Sequence, residues 1–229
     1  MKARIGIGTL TLLAALAAPV QAQDLRPGIA VLPFENGGSY GRDREDFDAL
    51  RRGLAAMLIS ELSQSPQVRL VDRWATQELI GEQAMTRAGS VDASTAVKLG
   101  KLVGAKYMIA GTFIDLYGDF RADARIISVE SGEILKVVKG DPTLKDRRQM
   151  YQIVQSLAMA ILADTHIAAN FTPAAREVPS EALTLYSRAV LYEDKGDRPH
   201  AIEYYKKALS AFPAYAEAQD GLRKIEARP

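Results

Sequence analysis

The sequence predicts an α+β fold of layered α/β type: a small mixed sheet with helices packed on it, followed by an all-helical hairpin near the C-terminus. Three observations predict it. In AVKLGKLVGAKYMIAGTFIDL, Ala96 to Leu116, the apolar spacing changes halfway. Ala96, Leu99 and Val103 recur at helical steps, Gly104 marks a stop, and Tyr107 to Ile114 is a nearly unbroken apolar run. A helix feeding a strand covered on both faces implies a layered domain. Next, two strand-like runs follow Leu116 with only turn residues between them, which gives an antiparallel meander. Lastly, small and aromatic residues recur at helix–helix spacing from Ser180 onward.

Each element can be justified in order. Lys2 and Arg4 precede an apolar run from Ile5 to Val20, and Val20-Gln21-Ala22 resembles a small-residue cleavage site, so residues 1–22 read as a secretory signal peptide. The competing reading, a retained membrane anchor, needs a longer run than this one. Ile29 to Phe34, IAVLPF, is the first buried strand. The loop after it holds Gly37, Gly38 and Gly41, but neither dinucleotide nor P-loop spacing is present, and Asp43, Glu45 and Asp46 would repel phosphate. Those acids suit the positive end of the helix they begin. That helix carries Phe47, Leu50, Leu54, Leu58 and Leu62 on one face, with Arg51, Arg52 and Glu61 off it, and ends near Ser65-Pro66.

Val68 to Val71 is a second strand, after which Thr76 caps a helix containing Leu79 and Ile80. Met85 to Ser94 is a polar connection, and Asp92 or Ser94 caps the helix that ends at Gly104. Tyr117-Gly118-Asp119 turns the chain into a strand from Ala122 to Val129, and Glu130 to Glu133 turns it again into Ile134 to Val138. A long helix from Lys145 to about Ile167 offers Met150, Val154, Leu157, Ile161 and Leu162 to the core. The predicted division is thus a domain over 23–169, a linker over 170–179 and a helical hairpin with a capping helix over 180–229.

Residues 180–229 match one tetratricopeptide unit. Leu185 stands where the pattern has Trp; Ala189, Tyr192, Ala201, Tyr205 and Pro213 fall at the expected intervals, and Gly196-Asp197 forms the turn. Arg188 departs from the pattern, since Leu is usual there. The register that buries Leu185, Ala189 and Tyr192 turns Tyr186, Val190 and Glu193 toward the inner groove. These are the candidate partner-binding residues, either for a peptide or for contact with the first domain, because one repeat cannot bury its own faces.

Composition narrows the chemistry. The 229 residues are 48% hydrophobic, enough for a packed core, and contain no cysteine, which excludes disulfides, Cys-ligated metals and a lipidated N-terminal Cys. Without Lys2 and Arg4 the 29 basic residues become 27, against 28 acidic ones, so nothing attracts nucleic acid. His166 and His200 lack neighbours at metal-ligand spacing and read as solvated or capping residues. Asp43 to Asp48 read as a solvated helix start rather than a catalytic carboxylate pair. No catalytic residue, cofactor, metal or small-molecule substrate is expected.

The order IAVLPF, MLISELSQ, VRLVDR, LIGEQ, LGKLVGAKYMIAGTF and ISVESGEIL resembles the CsgG-like family of bacterial envelope proteins over roughly Gly28 to Ile167. The resemblance implies a small α/β domain, an envelope role, ring assembly in some members and no enzymatic activity. The curli channel of that family is a lipoprotein with long membrane hairpins, whereas here Leu116 is joined to Ala122 by a tight turn, so no pore is expected. Tyr40 is the one aromatic in the loop matching the channel's constriction and reads as an ordinary loop residue. The expected protein is a non-catalytic periplasmic scaffold or adaptor whose partners are envelope or outer-membrane proteins, a peptide in the repeat groove, or further copies of itself. Its rivals are a subunit of an outer-membrane secretion channel and an envelope enzyme without a recognisable motif.

Overall fold

A computed structural model of the chain describes residues 24–39, 44–82, 92–139, 145–165, 167 and 176–227. The predicted signal peptide, Tyr40, His166, most of the polar connection from Met85 and most of the predicted linker lie outside them. The strands are β1 (Gly28–Val31), β2 (Glu35–Asn36), β3 (Arg69–Leu70), β4 (Tyr107–Leu116), β5 (Asp119–Ser128), β6 (Ile134–Val138) and β7 (Lys145–Asp146). The helices are α1 (Arg44–Ser63), α2 (Arg73–Glu82), α3 (Ala93–Val103), α4 (Met150–Asp164), α5 (Ser180–Asp194), α6 (Arg198–Ala211) and α7 (Ala216–Ala227).

The sheet runs β3-β1-β4-β5-β6, with β2 beside β4 and β7 beside β5. β1 pairs in parallel with both β3 and β4, whereas β4, β5 and β6 are antiparallel, so the sheet is mixed. β4 alternates its side chains between two cores, because successive residues of a strand point to opposite faces. Ile109 and Phe113 join Ile29, Ile126, Leu54 and Leu157 on the α1 and α4 side. Met108 and Ala110 join Ala30, Leu99 and Ile127 on the α2 and α3 side.

Local signals act where the sequence places them. Asp92 caps α3 by accepting from the Thr95 amide at 2.7 Å, and Gly104 ends it at φ 66°, the left-handed conformation a side chain resists. Leu116 pairs with Asp119 across Tyr117-Gly118, whose φ angles of 54° and 110° are those of a tight hairpin turn.

Several expectations need correction. β1 ends at Val31 rather than Phe34: the Leu32 amide still donates to the Ile109 carbonyl of β4, but the Phe34 amide turns away to the Arg51 carbonyl of α1. Thr76 lies inside α2; the preceding Asp72 holds the first turn through the Trp74 amide. Residues 145–149 are not helical: β7 pairs with β5, and Asp146 then caps a short 3-10 turn at Arg147–Gln149. Behind that turn, Arg147 donates twice to the fully buried Asp115, at 2.5 and 2.7 Å, and ties the end of β4 to the start of α4.

Candidate functional site

α1 decides where the C-terminal helices sit. Phe47, Leu50, Leu54, Leu58 and Leu62 are all buried, as their spacing predicts. The opposite side of α1 is covered too, by α5, and one apolar core runs unbroken from the sheet through α1 to Ala182, Tyr186, Ala189 and Tyr205. The two helices are in close contact at Gly53. A Cβ there would lie 2.9 Å from the Cα of Ser187 and closer still to its side chain, so only glycine permits this crossing.

Charged side chains bridge the junction at three places along α1. At its start, Arg188 donates to Asp46 at 2.9 Å and to the Tyr204 hydroxyl at 3.1 Å, and the Tyr192 hydroxyl donates to Glu45 at 2.6 Å. That bond, with some burial added, pushes the Tyr192 phenol up to about 12. In its middle, the Asp194 side chain, only 2% exposed, is held by Arg52 at 3.2 Å and by Arg73 of α2. Arg73 also donates to Glu193 at 3.0 Å, which accepts from Tyr205 at 2.6 Å. Burial raises the Asp194 carboxyl above its ordinary range against the pull of both arginines. At the far end, Glu61 is fully buried and accepts from Tyr151 at 2.5 Å, Gln155 at 3.3 Å and Arg176 at 3.0 Å. Arg176 reaches Glu217 of α7 as well, at 2.9 Å, and Ser60 donates to the same carboxylate at 3.0 Å.

Between these bridges a cleft of about 460 Å³ opens among α1, α2 and the C-terminal helices, lined in part by Ser60, Trp74, Tyr186, Glu193, Glu217 and Lys224. Glu193 and Glu217 are already matched there by the guanidinium groups of Arg73 and Arg176, which suits a mixed-charge contact surface rather than a proton-transfer site. Among the described residues no group of three His, Cys, Asp or Glu side chains is placed to hold a metal ion.

The predicted site residues turn inward. Tyr186, Val190 and Glu193 are 6%, 1% and 6% exposed. Tyr186 packs at a tilt against Tyr205 and Tyr215, with ring centroids 6.0 and 5.1 Å away, Glu193 is held by Arg73 and Tyr205, and Val190 sits in the continuous core. Leu185 and Tyr192, expected to be the buried register, are only half-buried, because α1 fills the concave side of the hairpin and so reverses which face lies deepest. Glu61, expected off the apolar face, is instead closed over by Tyr151, Gln155 and Arg176, and Asp46 is held by Arg188, while Glu45 keeps a side chain 41% exposed. His200 is exposed and stacks on Tyr192 at 5.0 Å, with its ring 2.7 Å from the Asp197 carboxylate that caps α6.

Sequence reasoning missed Arg73, Asp194, Arg176 and Glu217. Arg188 did leave a signal: the residue that departs from the expected pattern is one of those that anchor α5 to α1.

Fold and junction together define a layered α+β domain with a helical unit fixed to its first long helix. Residues 13–120 match the family model described as Curli production assembly/transport component CsgG. The match takes in the sheet as far as the start of β5; β6 and α4 to α7 lie beyond it. No curated protein matches the sequence. Among solved structures, the chain is similar to the LpoB C-terminal domain from Salmonella enterica at 18% identity and TM-score 0.35, covering 52% of this chain and 86% of that one. It is similar to Escherichia coli LpoB at 16% and 0.41, covering 63% and 81%. The PelC dodecamer from Paraburkholderia phytofirmans matches at 15% and 0.34, covering 61% and 87%.

Proposed function

We propose that this chain is a non-catalytic scaffold or adaptor of the bacterial periplasm that serves an outer-membrane assembly or secretion process. The observation that carries the reading is the locked junction, in which α5 to α7 are bolted along α1 by apolar packing and by ion pairs, Arg188 to Asp46, Arg52 to Asp194, and Arg176 between Glu61 and Glu217. Such a joint holds the surfaces of two units at one fixed angle, which is what a scaffold requires and what a flexible tether does not provide. The match of residues 13–120 to a curli assembly/transport family supports the envelope setting. In this reading α5 and α6 are a single tetratricopeptide unit whose concave side is filled by α1 of the same chain, and partners meet its convex side or the sheet domain.

The test is cell fractionation of the full chain followed by in-cell cross-linking and mass spectrometry. The expected result is a periplasmic protein, released without detergent, cross-linked to outer-membrane assembly or secretion components. A cytoplasmic location would contradict the proposal, as would a pattern of cross-links to enzyme substrates instead of proteins. A requirement for detergent would favour the channel-subunit reading.

A further inference from the structure

We propose that the cleft between α1, α2 and the C-terminal helices receives a basic side chain, the guanidinium or ammonium group of an arginine or lysine on a partner protein. The inference rests on the scaffold reading for the source of that side chain. The cleft itself is tested on purified protein, wherever the chain resides in the cell, so the two readings fail separately.

The cleft of about 460 Å³ is walled by α1, β3 and the start of α2 on one side and by α5, α6 and α7 on the other. Two deeply buried residues present unbonded polar atoms there. Tyr186 is 6% exposed, with its ring packed against Tyr205 and Tyr215, yet its hydroxyl makes no hydrogen bond among the described residues. The charged groups that act on it are Arg73, Glu217, Glu193 and Asp194. Glu193 is also 6% exposed; Arg73 and Tyr205 both donate to its Oε2, at 3.0 and 2.6 Å, and no described residue donates to its Oε1. Both residues line the cleft, which is where a partner for these atoms can enter.

Charge selects the occupant. Arg52 and Arg73 together balance Asp194 and Glu193, and Arg223 balances Asp220. Lys224 offsets Asp72 in the count, both being exposed at the rim. Arg176, by contrast, is shared by two carboxylates, those of Glu217 and the fully buried Glu61. The walls are therefore one positive charge short. An ammonium or guanidinium group supplies that charge, and it brings only donors, which the Glu193 Oε1 and the lone pairs of the Tyr186 oxygen accept. The apolar part of the wall, Ile59, Leu70 and Trp74, suits the methylene stem that arginine and lysine carry beneath their charge. Arginine in particular is enriched where protein surfaces meet.

Trp74 is the only tryptophan of the chain and lines the cleft, so its fluorescence reports occupancy. The test titrates the purified full chain with the capped tripeptides acetyl-Ala-Arg-Ala-amide and acetyl-Ala-Lys-Ala-amide, and with the same peptide carrying norleucine, whose stem has no charge. The proposal expects a saturable change with the basic peptides and binding of the norleucine peptide about tenfold weaker or less. Tyr186→Phe removes a hydroxyl that bonds to nothing in the protein, so its melting temperature should equal the parent's while the basic peptides bind several-fold more weakly. Lys224→Gln, at the exposed rim, should tighten them several-fold. Absence of a saturable change at tens of millimolar peptide would overturn the proposal. So would equal binding of the norleucine peptide, a lower melting temperature for Tyr186→Phe, or a Tyr186→Phe protein that binds as the parent does. Tighter binding of free pentane-1,5-diamine than of either basic peptide would overturn the protein partner in favour of a small amine.

Discussion

The α1–α5 junction and the β6 edge are built from the same kinds of residue and use them in opposite ways. At the junction every charged group that is buried has an opposite charge or a phenol within hydrogen-bonding reach, and Leu54, Ala182 and Ala189 beside it are fully covered. At the edge the apolar residues stand nearly half exposed, and the charges, Glu133, Lys136 and Lys139, lie at the surface. The difference teaches what each region is for. A buried ion-pair network is costly to assemble and fixes one arrangement, so it belongs inside a permanent joint. The β6 edge, with its register shift and its surface lysines, is fixed by no such network.

The comparison can be broken most severely at Asp194. Asp194→Ala leaves the Arg52 guanidinium without its carboxylate and removes one of two from Arg73, and the loss of one partner from such a buried network costs about 3–5 kcal/mol. Chemical denaturation should show this as a lower midpoint. The next effect is steric. Gly53→Ala should cost about 1–3 kcal/mol, since the backbone of Ser187 has to withdraw from α1.

A smaller effect follows from Tyr192. Its phenol has a folded pKa raised from the ordinary 10 to about 12, so the native state holds this proton more tightly. The stability it contributes is complete below pH 10 and is lost as the pH rises from there through 12. An ultraviolet titration should show several tyrosines ionising late, since burial raises Tyr151, Tyr186, Tyr205 and Tyr215 as well, and Glu45→Gln should move Tyr192 alone earlier. The smallest change sharpens the other side of the comparison: Ile134→Thr at the edge should alter monomer stability by less than about 0.5 kcal/mol.

Much of this architecture was legible in the sequence, and the reasons are local. Gly104 stops α3 because only its conformation fits there, and the change of period at Ala105 announces β4, since helix and strand periodicities cannot coexist. The mixed sheet followed from one buried strand and one meander. What escaped was anything that depends on which face meets which. Glu61 reads as a solvent-facing residue of an amphipathic helix until Tyr151 and Arg176 close over it from sequence distances of 90 and 115 residues. Tyr186 and Glu193 were expected in the groove of the hairpin, but no periodicity says that α1 packs against them. β7 escaped for a different reason: a two-residue strand carries no pattern.

The claim on which the account turns is that α5 to α7 and the sheet domain are one cooperative body. Hydrogen exchange of the backbone amides of the full chain, followed across low concentrations of denaturant, addresses it residue by residue. The account predicts that the slowest amides of α1 and α5 exchange through the same opening, with equal free energy and equal denaturant dependence, and that Asp194→Ala lowers both together. Exchange of α5 to α7 through a separate, cheaper opening, while α1 stays protected, would contradict it.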